Sequence, residues 1–90
     1  LVIPSTFSMS IFPNPFNPST TISFTLPRRA QTSLEVFNVL GQAVYSVDLG
    51  QLPAGEYHHL LDAENLPSGT YLTRLEAGEM QETSRMVLLR

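Results

Sequence analysis

The chain has 90 residues and a mass of 10.0 kDa, the size of one small domain. Its formal net charge is −3, so it lacks the basic footprint of a nucleic-acid-binding protein, and no apolar run is long enough to predict a membrane span. It contains no cysteine, which excludes disulfides, thiolate metal sites and a cysteine nucleophile. Enzymes of this size are uncommon, so the composition favours a module of a larger protein.

Short runs of alternating apolar and polar residues predict seven β-strands, because successive side chains of a strand point to opposite faces of its sheet. In chain order the predicted strands are Thr6–Phe12, Thr20–Leu26, Thr32–Val39, Gln42–Leu49, Glu56–Leu61, Thr70–Glu76 and Met80–Leu89. The side chains expected to face inward are Ile22, Phe24, Leu34, Val36, Tyr45, Val47, Tyr71 and Leu75. In the fourth run Ala43 and Leu49 share that inward face. Seven short strands separated by turns are typical of an antiparallel immunoglobulin-like β-sandwich.

The third run also fits a helix, since Ala30, Leu34, Phe37 and Leu40 have helical spacing and Gly41 could end it. We favour a strand, because Val36, Phe37 and Val39 suit a pleated surface. Two hairpins are then expected. One turn lies at Leu40–Gln42 and the other at Glu76–Glu79.

One hexapeptide pattern occurs twice, as Leu52–Tyr57 and again as Leu66–Tyr71. In each copy a proline presets φ for a turn, a glycine accepts positive φ, and a tyrosine opens the next strand. Two copies are too few for a solenoid, so the pattern predicts one turn used twice.

The residues that could carry chemistry do not form a known constellation. His58 and His59 are neighbours on a strand and face opposite ways, so one is expected in solvent and the other partly packed. Asp62 and Glu64 could offer oxygen ligands to calcium, but the EF-hand spacing and its turn glycine are absent, so we expect a solvated loop with an Asx-type turn. Neither a nucleophile elbow nor a glycine-rich phosphate loop is present. We therefore predict no catalytic, cofactor-binding or metal-binding residue and no enzymatic activity.

The opening of the chain carries two aromatic residues around a proline-rich turn. Phe12 and Phe16 flank Pro13-Asn14-Pro15. They could form an exposed platform for a sugar. We expect instead that both plug an open end of the sandwich, since large aromatic side chains dominate small cores.

Four motifs are more specific than any of these features. They are Ile11–Ile22, Val39–Val44, Leu66–Tyr71 and the terminal Arg85–Arg90. Together they closely resemble the type A C-terminal sorting domain of type IX (Por) secretion, found at the ends of secreted proteins of Bacteroidetes and related bacteria. The resemblance covers about residues 8–90. The immunoglobulin-like domains of flagellar hook-capping proteins are related and share the middle and GxY portions, but they do not typically carry the Pro-Asn-Pro opening or the basic end.

The resemblance implies a seven-stranded sandwich that travels through the periplasm with its cargo to the cell surface or medium. Its partners would be the outer-membrane type IX translocon, a sorting-signal peptidase, and an N-terminal cargo domain in the same chain. Residues 1–5 would end the linker from that cargo, and residues 6–90 would form the sorting domain. The residues that match the family's sorting motif are Pro13, Asn14, Pro15, Gly69, Tyr71, Arg85, Met86, Val87, Leu88, Leu89 and Arg90.

Two expectations about the terminal strand follow. It would lie at a sheet edge with unpaired backbone groups, available to a partner. Arg85 and Arg90, where the family often has lysine, would be exposed charges, so that reversing Arg90 would hardly change stability. The alternative function is an accessory carbohydrate- or protein-binding module of a secreted enzyme, and a third is a structural spacer.

Overall fold

A computed structural model describes residues 6–90; the proposed linker, residues 1–5, lies outside the described residues. Seven strands form, as predicted. They are β1 Ser8–Phe12, β2 Ser19–Leu26, β3 Ala30–Phe37, β4 Ala43–Leu52, β5 Gly55–Asp62, β6 Gly69–Ala77 and β7 Met80–Leu88. No helix in the described part of the chain is long and apolar enough to cross a membrane.

The strands pair in two antiparallel sheets, which confirms the predicted immunoglobulin-like β-sandwich. The first sheet has the order β1-β2-β5 and the second the order β4-β3-β6-β7. The chain changes sheets three times, through residues 27–29, 53–54 and 63–68. The segment at 30–37 is a strand, so the strand interpretation of the ambiguous third run was correct.

Consecutive strands run in opposite directions, and the loops therefore collect at two ends of the molecule. We call one the motif end; it holds residues 13–18, 38–42, 63–68 and 89–90. The opposite end holds residues 27–29, 53–54 and 78–79. Ser8, at the start of β1, pairs with Thr25 near the last residue of β2 and so lies towards the opposite end.

The core lies between the sheets and is filled by the inward faces that alternation predicted. Ile22, Phe24, Leu34, Val36, Tyr71 and Leu75 are buried. Tyr45 and Val47 are packed against this core but only partly buried, because β4 is an edge strand. The buried threonines are accommodated as well, since Thr73 donates its hydroxyl to the sulfur of Met86 at 3.3 Å.

The prediction for Ala43 was wrong, because alternation in β4 is interrupted. The register between β3 and β4 shifts between Val36 and Phe37, so that Phe37 pairs with Ala43 while Val36 pairs with Tyr45. Val44 is the extra residue of this irregularity. As a result Ala43 is exposed and Val44 packs against the core in its place.

Both predicted hairpins are present. The turn between β3 and β4 is closed by Asn38, whose N–H donates to the Gln42 carbonyl at 3.0 Å and whose Oδ1 accepts the N–H groups of Leu40 and Gln42. The turn between β6 and β7 contains Gly78 at φ 61°, where a residue with a side chain would be strained.

The repeated hexapeptide forms the same structure twice. The Tyr57 hydroxyl donates to the carbonyl of Pro53, and the Tyr71 hydroxyl donates to that of Pro67, each at 2.5 Å. A tyrosine that ties the start of its strand to the preceding turn is the tyrosine corner of immunoglobulin-like sandwiches. The prediction of one turn used twice is confirmed, with a function for the tyrosine that the sequence pattern alone did not give.

We expect Tyr71→Phe to lower the free energy of unfolding by about 1–2 kcal/mol, because it removes one hydrogen bond and little else. Urea denaturation measures the change. Tyr57→Phe is the matched control at the other corner, and its loss should be smaller, since Tyr57 is only partly buried whereas Tyr71 is buried. Unchanged stability in both variants would mean that the corners do not hold the strands.

Candidate functional site

At the motif end, the Asn14 side chain joins the opening turn to the terminal strand. Asn14 Nδ2 donates to the Arg85 carbonyl at 3.0 Å, and its Oδ1 accepts the N–H of Val87 at 3.0 Å. The amide group thus pairs with β7 in the way that a peptide group of a neighbouring strand would. More than 70 residues separate these partners in sequence, with separations of 71 and 73.

The backbone of Phe16 also hydrogen-bonds to the terminal strand β7. Its N–H donates to the Val87 carbonyl at 2.9 Å, and its carbonyl accepts the N–H of Leu89 at 3.0 Å. Phe16 therefore forms a short parallel bridge with Leu88 on the outer edge of β7. Its ring is 3% exposed and belongs to the core.

The expectation of a fully open terminal edge is therefore wrong for the last part of β7. β7 is an edge strand of its sheet, as expected. Its outward backbone groups from the Arg85 carbonyl to the Leu89 N–H are nevertheless satisfied by Asn14 and Phe16. Covering an edge in this way protects it from adventitious pairing with other strands.

The two aromatic residues of the opening turn have different environments. Phe16 plugs the motif end, as predicted. Phe12 does not, and the expectation that both rings would be buried was wrong, because Phe12 lies on the outer face of β1 with 80% of its surface exposed. Alternation explains this, since Met9 and Ile11 occupy the inward face of the same strand.

The Arg90 side chain lies against the loop at 63–68. Its Nε donates to the carbonyl of Leu66 at 2.9 Å, and its Nη2 donates to that of Ala63 at 2.8 Å and also to that of Glu64. Its backbone N–H donates to the Ser68 hydroxyl at 3.0 Å. The planar, forked guanidinium suits several carbonyls at once, which a lysine ammonium would not reproduce. Arg90 is thus a structural anchor, and the expectation that its charge reversal would leave stability unchanged is not supported.

The remaining terminal residues divide by face. Met86 and Leu88 are buried in the core, whereas Arg85, Val87 and Leu89 occupy the alternate positions of the strand and are exposed or half-exposed. In the register of the sheet, Arg85 of β7 lies opposite Leu72 of β6. The Arg85 guanidinium has no ion-pair partner among residues 6–90. Arg85 is therefore the basic residue of the terminal motif that remains available to a partner.

The exposed apolar side chains of the described residues are unevenly distributed. The large ones are Phe12, Val39, Leu40, Leu60, Leu72 and Leu89. All of them lie in the half of the sandwich nearest the motif end. Of these, Val39 and Leu72 line one depression beside the second sheet, and exposed apolar residues grouped in this way indicate an interaction surface.

The residues considered for metal binding are separated. His58 faces outward, with its Nδ1 2.8 Å from the Ser23 hydroxyl, while Nε2 of His59 lies 2.8 Å from the Tyr45 hydroxyl in the opposite sheet. This confirms the predicted division into one exposed and one partly packed histidine. Asp62 accepts the N–H of Glu64 at 3.1 Å, which is the predicted Asx-type turn. Within residues 6–90, no three His, Asp or Glu side chains are grouped so as to hold a metal ion.

The partial burial of His59 makes stability depend on pH. Burial lowers the pKa of His59 from its usual value of 6.5. Below pH 6.5 the unfolded chain binds a proton at His59 while the folded chain still holds the histidine neutral. The contribution of His59 to stability is therefore fully present above pH 6.5 and is lost as the pH falls through the folded-state pKa.

We therefore expect the melting temperature to decrease as the pH falls below 6.5, and to decrease less in His59→Gln. His58→Gln changes the exposed neighbour on the same strand and should keep the wild-type decrease. An equal decrease in wild type and His59→Gln would show that other groups cause the pH dependence.

Sequence reasoning found the motif residues but missed the outer face beside them. Leu72, which is 46% exposed, pairs with Phe37 on one side and Arg85 on the other. The Arg74 guanidinium lies over the Phe37 ring at 4.8 Å and forms an ion pair with Glu35 at 2.5 Å. The sequence did contain a signal for this outer face, because successive side chains of a strand alternate and an inward Tyr71 therefore requires an outward Leu72.

The sequence of the chain matches a known family of domains. The family model described as "Secretion system C-terminal sorting domain" matches residues 10–89, which include all four motifs except the last residue, Arg90. No curated protein sequence matches the chain significantly. Domains of the family are sorting signals that interact with the type IX secretion machinery, and they are not catalysts. The chain therefore belongs to the secretion system C-terminal sorting domains and is a sorting signal for type IX secretion, which delivers proteins to the cell surface or the extracellular space.

Proposed function

We propose that the motif end is the address read by the outer-membrane type IX translocon. The observation that supports this most directly is the pairing of Asn14 with Arg85 and Val87, which makes one surface of the opening and terminal motifs. A sorting signal needs such a surface, accessible and independent of the protein it directs. It needs no chemistry of its own.

The motif residues take two roles in this proposal. Those that build the surface are Pro13, Asn14, Pro15, Gly69, Tyr71, Met86, Leu88 and Arg90. Those that a partner contacts are Arg85, Val87 and Leu89. The division rests on burial and hydrogen bonding. Tyr71, Met86 and Leu88 are buried, and the Asn14 and Arg90 side chains hydrogen-bond within the fold. The side chains of Arg85, Val87 and Leu89 point outward.

The wider arrangement follows from the same proposal. Residues 6–90 act as the sorting domain, and residues 1–5 end a linker from an N-terminal cargo domain. A dedicated sorting-signal peptidase on the cell surface is the second partner. Any catalytic activity of the longer protein would belong to the cargo. Because the sorting domain needs no contribution from the cargo, it would be transferable to unrelated proteins.

The test is a reporter fused to the whole chain and expressed in a bacterium with type IX secretion. We expect the fusion to reach the cell surface or medium and the reporter alone to remain in the periplasm. A matched control fusion carries Arg28→Glu and Arg29→Glu at the opposite end, and it should be exported normally. Retention of the unmodified fusion would contradict the proposed function, and export blocked equally by the control changes would contradict the location of the address.

The alternative of a carbohydrate-binding module has one supporting observation, the exposed ring of Phe12 beside the serine and threonine hydroxyls on the outer face of the first sheet. Co-sedimentation of the purified domain with insoluble polysaccharide distinguishes it. We expect no binding above a Phe12→Ala control.

A further inference from the structure

A groove of about 430 Å³ lies on the outer face of the second sheet, beside the motif end. Its floor includes Phe37 and Leu72, which are paired in the register of β3 and β6. Val39, 79% exposed on the hairpin, lines one part of the groove, and Arg74 lines another. Phe37, Leu72 and Arg74 do not belong to the recognised motifs.

The groove offers apolar surface that the fold itself leaves uncovered. Removing apolar surface from water is favourable, so a partner that fills the groove gains affinity from contacts with Leu72 and Val39. The ring of Phe37 is held in place by Arg74, whose own charge is engaged by Glu35 at 2.5 Å. The floor is thus arranged before any partner arrives, which reduces the entropy that binding would cost.

One uncompensated charge lies next to this apolar floor. Arg85 follows Leu72 in the cross-strand row Phe37–Leu72–Arg85, and it makes no ion pair with any of residues 6–90. The chain as a whole carries a net charge of −3. A positive group in an acidic molecule, exposed beside an apolar groove, selects for a partner that places a carboxylate there.

We propose that the groove binds an apolar side chain of a type IX export component, and that a carboxylate adjacent to that side chain pairs with Arg85. This rests on the proposed sorting function and adds to it the chemistry of the partner: an apolar residue next to Asp or Glu in an exposed segment. The apolar contact supplies affinity, and the ion pair sets the orientation of the segment.

The fusion described above tests the groove with paired substitutions. Leu72→Gln is compared with Leu60→Gln, since Leu60 is also an exposed leucine near the motif end but lies in the other sheet. We expect export to fall by about tenfold or more for Leu72→Gln and to stay near wild type for Leu60→Gln. The melting temperature of each purified domain shows that the variants fold.

The charge is tested separately at Arg85. Export should fall by about tenfold in Arg85→Glu, fall less in Arg85→Met, and be largely kept in Arg85→Lys, because a carboxylate partner needs a cation there. Arg29→Glu is the control for a charge reversal at the opposite end. Normal export of Arg85→Met would contradict the carboxylate, and normal export of a folded Leu72→Gln would contradict the groove.

Failure of the groove proposal and failure of the sorting function on which it rests give different export results. If the unmodified fusion is not exported, the sorting function itself fails. If it is exported and the groove variants are exported equally, only the groove proposal fails. Sedimentation of the purified domain distinguishes a further occupant, since a dimer that Leu72→Gln dissociates would show that a second copy of this chain covers the groove and would overturn the proposal.

Discussion

Phe24→Ala is expected to lower the free energy of unfolding by about 3–5 kcal/mol, the usual cost of truncating a buried phenylalanine. Phe24 is 3% exposed, and its ring stacks on that of Tyr57 at 5.3 Å between centroids. The total stability of a small domain is roughly 5–15 kcal/mol, so the loss is a large part of it.

Urea denaturation gives the midpoint from which this change is obtained. Phe12→Ala is the matched control, because it removes the same ring from a position that is 80% exposed. It should change stability by about 0.5 kcal/mol or less. An unchanged midpoint in Phe24→Ala would mean that the inward faces of the sheet have been assigned wrongly.

Phe16→Ala is also expected to lower the free energy of unfolding by about 3–5 kcal/mol, because it too truncates a buried phenylalanine. The substitution removes a ring that is 3% exposed from the motif end of the core. It also weakens the bridge to Leu88, because the backbone of Phe16 loses the ring that fixes its position against β7. The address should therefore be lost together with stability, and the fusion should be retained.

Asn14→Ala separates these two effects. The Asn14 side chain is exposed, and its removal takes away two hydrogen bonds but no core contact, so about 1–2 kcal/mol is expected. Amide hydrogen exchange at Val87 should accelerate by more than the loss of global stability explains, whereas exchange at Leu34 in the central strand β3 should accelerate only by that loss. Protection of Val87 that survives in Asn14→Ala would show that the amide contact does not hold the strand edge.

Local sequence patterns were sufficient for most of the fold. Alternation placed Ile22, Phe24 and Leu34 inside, because the period of a strand is two residues and one face of each sheet is buried. It failed at Ala43, where one additional residue in β4 reverses the faces. Nothing in the local pattern of that run indicates the irregularity, which arises from its pairing with β3.

The site was less accessible to sequence reasoning, because its contacts join distant parts of the chain. The hydrogen bonds of the Arg90 side chain depend on the position of the loop at 63–68. The hydrogen bonding of the outer edge of β7 depends on Asn14. Both are tertiary contacts that no single segment encodes. The motifs nevertheless identified the family without them, since recognition of a family needs the residues and their order but not their geometry.

The direction of β1 determines how this domain can be attached to another protein. The strand starts towards the opposite end and runs to Phe12 at the motif end, in a molecule 40 Å long and 23 Å wide. Any polypeptide joined before Thr6 therefore enters at the pole farther from the groove and from Arg85. A bulky protein attached there would not sterically shield those residues, so export should be insensitive to the size of the attached protein.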